Sequence, residues 1–144
     1  MSARIIRFLA LYCCALVVGG MQDAAAAEAT LGIELNKFEA AEPDGCRTYF
    51  LFRNNSDTTF EGFEMSLAIL DSNGVIDQLL TIDAAPLPVA RTTLKLFEIP
   101  DLACDRITEV LLHDMPLCKP QNADEIDCFD IMELSSKTTA RFAK

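Results

Sequence analysis

The chain has no tryptophan and a single histidine, His113. The first absence removes the buried indole that packs on the inter-sheet disulfide of antibody domains. The second leaves too few imidazoles for most transition-metal centres. Basic residues are scarce, with 12 Lys+Arg against 22 Asp+Glu and a net charge of −10. Nucleic acid is thereby excluded as a partner, because neutralising phosphates needs clustered cations. The six glycines stand singly except for Gly19-Gly20, so no glycine-rich loop can cradle a phosphate. There is no nucleophile elbow of the G-x-S-x-G type. The cysteines nearest each other outside the N-terminal run are Cys118 and Cys128, which excludes a Cys-x-x-Cys redox motif. No nucleophile, base and orienting group can be assembled by role, and the chain reads as a non-enzyme.

Long hydrophobic runs are also lacking, with one exception. Phe8 to Val18 is uncharged, follows Arg4 and Arg7, and is followed by Gly19-Gly20 and the small-residue stretch Ala24 to Ala27. That order is a secretory signal peptide over residues 1–27, with cleavage after Ala27. A spanning helix needs about 20 apolar residues, more than this run supplies, so no membrane span is expected after cleavage. Arg4 and Arg7 are separated by two isoleucines, which fits a Sec-type rather than a twin-arginine signal. The expected location is periplasmic.

Cleavage leaves Glu28 to Lys144, 117 residues with 21 acidic and 10 basic side chains. A chain of that length buries about two-thirds of its unfolded surface and can form one core. Four cysteines remain: Cys46, Cys104, Cys118 and Cys128. In an oxidising compartment they form two disulfides, with three connectivities open. Cys118 and Cys128 bracket a polar loop and pair locally, which leaves Cys46 with Cys104.

The rest of the chain reads as strands. Leu31, Ile33 and Leu35 alternate with polar or small residues at a period of two. In CRTYFLFR, Cys46, Thr48, Phe50 and Phe52 share one face, and Arg47, Tyr49, Leu51 and Arg53 share the other. Phe63, Met65, Leu67 and Ile69 lie together. Asp71-Ser72-Asn73-Gly74 is a hairpin turn, since Asn-Gly supplies the positive φ such turns need. Ile76, Leu80 and Ile82 follow on one face, then Leu94 and Leu96 on one face, then Val110 and Leu112. A last strand is expected within Phe129 to Leu134, with residues 137–144 as a flexible tail.

Seven short strands joined by turns predict an all-β, immunoglobulin-like β-sandwich over residues 28–136. In such a sandwich the second and sixth strands run the same way across the core. Cys46 opens the second and Cys104 precedes the sixth, so both lie at one end, in keeping with their pairing.

The stretch from Phe50 to Phe97 resembles the FxLYD type of bacterial envelope β-sandwich, through RNNSD, SLAILDSNGVI and a proline-containing loop before LKLF. The mature chain is also similar to small exported alphaproteobacterial proteins labelled "Tat pathway signal sequence domain protein". The matching parts are LGIELNKFE, DGCRTYFLFRN, LAILDSNGVI, LKLFEIPDLACDRI and the final cysteine loop. The resemblance implies a β-sandwich in the cell envelope and carries no catalytic residues.

Three clusters are candidates for function. If Cys46 and Phe50 point inward, Tyr49 and Leu51 point outward between Arg47 and Arg53. An apolar patch with a charged rim is what a protein-binding surface looks like, and the expected partner is an envelope or periplasmic protein. A bulge before Tyr49 reverses the faces. His113 and Met115, two apart on a strand, form a soft pair that fits Cu(I) and makes copper handling the alternative function. Met65, Met132 and an unpaired cysteine are the candidates to complete that site. Asp124, Glu125, Asp127 and Asp130 surround Cys128, without the loop spacing a calcium site requires. No cofactor is expected.

Overall fold

A computed structural model describes residues 30–144. The signal-peptide assignment and its cleavage site lie outside the described residues. The chain forms strands β1 (Leu31–Ala41), β2 (Gly45–Asn54), β3 (Phe60–Leu70), β4 (Ile76–Asp83), β5 (Arg91–Ile99), β6 (Glu109–Pro120), β7 (Met132–Ser136) and β8 (Arg141–Ala143). Short 3₁₀ turns at Cys104–Arg106 and Phe129–Ile131 precede β6 and β7. Two four-stranded sheets, ordered β5-β2-β1-β7 and β4-β3-β6-β8, pack as a sandwich.

The alternation in β2 explains this packing. Cys46, Thr48, Phe50 and Phe52 are buried, while Arg47, Tyr49, Leu51 and Arg53 are half-buried on the opposite face. The β3 residues Phe63, Met65, Leu67 and Ile69 meet them from the second sheet. Phenylalanine rings run through the core as a chain: Phe142 to Phe50 at 5.5 Å, Phe50 to Phe52 at 6.2 Å, Phe52 to Phe63 at 6.0 Å and Phe63 to Phe60 at 6.0 Å. Most of these pairs meet edge to face, the arrangement aromatic quadrupoles favour.

Both disulfides form as expected, Cys46 with Cys104 and Cys118 with Cys128. The first ties the start of β2 in one sheet to the turn that enters β6 in the other. The β3–β4 turn is fixed by Asp71, whose Oδ1 accepts from the backbone N–H of Asn73 (2.8 Å) and Val75 (3.0 Å). Those bonds, Val75 first, hold its carboxyl below the usual range. Gly74 takes the positive φ of 74° that the turn requires.

Two expectations are corrected. There are eight strands among the described residues, not seven. The eighth lies in the stretch expected to be a flexible tail: β8 pairs in parallel with β6 through Glu109, Val110 and Leu111. Phe142 and Ala140 are buried, and Ser136 and Thr138 hydroxyls donate to the Ala140 carbonyl to shape the turn between β7 and β8. Burying one phenylalanine is worth about 2–3 kcal/mol, and the sheet and turn hydrogen bonds add to it against the cost of ordering a short segment. Ile76 is also exposed rather than inward, because a register shift between Ile69 and Leu70 carries the start of β4 away from the core.

Candidate functional site

The outer face of the β5-β2-β1-β7 sheet is built in four rows. Glu39, Arg47 and Glu98 form the first, and Lys37, Tyr49 and Leu96 the second. Glu34, Leu51 and Leu94 form the third, and Gly32, Arg53 and Thr92 the last. Opposed residues in neighbouring strands share a face, so the pairing alone places Tyr49 beside Leu96 and Leu51 beside Leu94. Leu94 is 59% and Leu96 45% exposed, among the most exposed large apolar side chains described. No bulge precedes Tyr49 in β2, and the outward orientation of Tyr49 and Leu51 holds.

Charged groups close both ends of this apolar block. The Arg47 guanidinium donates to Glu98 Oε1 at 2.8 and 3.2 Å and to Glu39 Oε1 at 3.3 Å. Tyr49 Oη donates to Glu39 Oε2 at 3.3 Å, and the Lys37 ammonium lies 5.1 Å from the Tyr49 ring centroid. Lys37 also donates to Glu39 at 2.7 Å, which lowers the Glu39 carboxyl and raises the ammonium. At the other end Arg53 donates to Glu34 Oε2 at 3.3 Å. Across β1, β2 and β5, three cations and three carboxylates balance on this face of a strongly acidic chain.

Glu34 is the unusual member, a carboxylate on the outer face that is only 7% exposed. The register shift between Leu35 and Lys37 makes Asn36 an extra residue in β1, and its Nδ2 donates to Glu34 Oε1 at 2.7 Å. That bond, with Arg53 beside it, holds the Glu34 carboxyl below its ordinary value of 4.5 against the opposing effect of burial. A depressed folded-state pKa contributes stability above the unfolded value and loses it as pH falls through the folded one. Acid titration of thermal stability is therefore expected to show wild-type protein losing more stability below pH 4.5 than Glu34→Gln does. Parallel acid curves for the two proteins contradict this role for Glu34.

The His113–Met115 pair does not assemble as alternation predicts. Leu67 pairs with Leu112 and Ser66 with Asp114, which leaves His113 as the extra residue of a bulge. Its Nε2 lies 2.9 Å from Ser66 Oγ. Met115 instead packs against the core and borders a shallow hollow with Asp114, Glu125, Ile126, Asp127 and Phe129. Met65 and Met132 are buried core residues, and the four cysteines among the described residues are all paired. The loop acids are exposed, and Asp127 Oδ1 accepts from Phe129 N–H at 2.9 Å. No group of three or more His, Cys, Asp or Glu is arranged for a metal among the described residues.

No family model matches the chain, and no curated protein matches it. Among solved structures it is similar to IrmA from Escherichia coli, with a TM-score of 0.56 over 72% of this chain and 89% of that one. Identity between the two is 13%, so the likeness concerns the β-sandwich fold alone. Two disulfides fit an extracellular or periplasmic protein. No helix among the described residues is long and apolar enough to cross a membrane.

Sequence reading supplied one strand of this candidate face. It nominated Arg47, Tyr49, Leu51 and Arg53 on β2 and missed Leu94 and Leu96, whose contribution depends on β5 lying next to β2. The signal for them was the alternation of Leu94 and Leu96 with Lys95 and Phe97. Alternation does not say which face is the core.

Proposed function

We propose that this chain is a non-catalytic interaction module of the bacterial cell envelope. In this reading it binds a partner protein through the outer face of its β5-β2-β1-β7 sheet. The observation that carries the reading is the contiguous exposure of Leu94 and Leu96 beside Tyr49 and Leu51, rimmed by Arg47 and Arg53. Apolar side chains gathered at the centre of a charged rim are the composition of protein-binding patches, and Tyr and Arg are the residues that most often dominate binding energy there. The paired rim charges favour a specific partner orientation over bulk attraction. The resemblance to small exported alphaproteobacterial proteins, and the signal-like N-terminus, support the periplasm as the place of action.

The test separates binding from folding. Tyr49→Asp and Leu96→Asp remove apolar surface of the outer face that lies outside the core between the sheets. Each is expected to shift the melting temperature by no more than a few degrees, since surface changes fall mostly within about 0.5 kcal/mol. Partner capture in cells is expected to fall at least tenfold. A large loss of stability, or undiminished capture, counts against this face.

A further inference from the structure

We infer that the free edge of β5 receives an extended apolar–acidic–apolar segment of the partner, which adds to the four-stranded sheet as a fifth strand. The inference rests on the interaction reading above and specifies the chemistry of the occupant. β5 pairs only with β2 and lies at the end of its sheet among the described residues. Its outer backbone N–H and C=O groups are a template for strand addition.

Charge selects the occupant. Most basic side chains on the sandwich faces are ion-paired: Lys37, Arg47, Arg53, Lys119 and Arg141 each meet a glutamate. Arg91 and Lys95, both on β5, have no carboxylate partner among the described residues. Lys95 Nζ donates instead to the Ala85 carbonyl at 2.8 Å. The one acid on β5, Glu98, is engaged by Arg47. An acidic chain thus keeps an edge strand with two uncompensated cations. Edge to edge with a second copy, those cations meet their own kind. An edge lysine is a common guard against such self-pairing. A carboxylate on an incoming strand meets them favourably.

Side-chain alternation sets the rest of the motif. Residues opposite each other across a ladder point to the same face. Positions opposite Leu94 and Leu96 extend the apolar rows that run through Leu51 and Tyr49. The position between them faces Lys95, and one four residues away faces Arg91. Thr93 Oγ1, on the Lys95 face of the same strand, is buried without a hydrogen-bond partner. The occupant is therefore an extended segment reading apolar–Glu/Asp–apolar, with a second acid four residues from the first.

Titration of the purified exported protein with labelled nine-residue peptides, read by fluorescence anisotropy, tests this. One peptide carries Val-Glu-Val with a second Glu four positions on, and its twin carries Lys at both acidic positions. The acidic peptide is expected to bind at least tenfold more tightly. N-methylation of the alternate amides that face β5 is expected to abolish binding, because strand addition depends on backbone bonds. Lys95→Glu and Arg91→Glu are each expected to erase most of the preference and the double variant to reverse it, and Arg91 is exposed enough for its variant to stay folded if the other loses stability. Equal affinity for both peptides, binding by neither, or indifference to N-methylation overturns the inference. If the peptides fail while capture still depends on Tyr49 and Leu96, the sheet face stands and only strand addition falls. If capture is also independent of those residues, both readings fall.

Discussion

Phe50→Ala is expected to destabilise the domain by about 3–5 kcal/mol, the range for truncating a buried aromatic ring. Phe50 is 1% exposed and its ring meets those of Phe52, Phe97 and Phe142 at 6.2, 6.0 and 5.5 Å. It stands where β2, β5 and β8 converge, so the cavity left behind has neighbours from both sheets that cannot all collapse into it. Against a total stability of about 5–15 kcal/mol for a domain of ordinary size, such a loss takes a large share. The melting temperature is expected to drop by roughly 15 °C, using the usual scaling for a domain near 100 residues. Circular dichroism against temperature measures it. A shift of only a degree or two means that the aromatic chain through the core is not what holds the sheets together.

Removing the inter-sheet disulfide is expected to cost a comparable amount. Cys46 and Cys104 are separated by 58 positions, and Cys118 and Cys128 by 10. If disulfides act by restricting the unfolded chain, the long loop contributes about 4 kcal/mol and the short one about 3. The double variant Cys46→Ala, Cys104→Ala should therefore unfold at lower urea than Cys118→Ala, Cys128→Ala. The first also separates the start of β2 from the turn entering β6, while the second frees only one loop. Urea titration of the two variants side by side gives the order, and the reverse order contradicts the chain-entropy account.

The parts of this fold legible in the sequence are those set by local alternation. β2 and β3 each place four apolar or small residues on one face at a period of two, and both strands bury that face. The Asp71–Gly74 turn announces itself through its side-chain chemistry. What was illegible depends on pairing between distant segments. β8 is three residues long and follows a run of serine and threonine, so nothing local marks it. Phe142 orders it by reaching Phe50 in the other sheet. His113 and Met115 look like a pair at strand spacing, but a bulge seen only in the β3–β6 register separates them. The candidate site divides the same way. Arg47, Tyr49, Leu51 and Arg53 follow from the parity of β2, whereas Leu94 and Leu96 join them only through the β2–β5 ladder. Glu34 was hidden for the same reason, since its burial depends on the bulge at Asn36 and on Arg53 across the sheet.

The central claim is that the outer face of the β5-β2-β1-β7 sheet binds a protein of the envelope. In-cell photocrosslinking from a benzoyl-phenylalanine placed at Leu51, with mass spectrometry of the adducts, tests it most directly. The same probe at Thr81, exposed on β4 on the outer face of the other sheet, serves as the control. The account predicts one dominant envelope protein crosslinked from Leu51, absent from the control and lost on Leu96→Asp. Adducts that are the same from both positions, or no adduct from Leu51 in cells where the protein is abundant, contradict it.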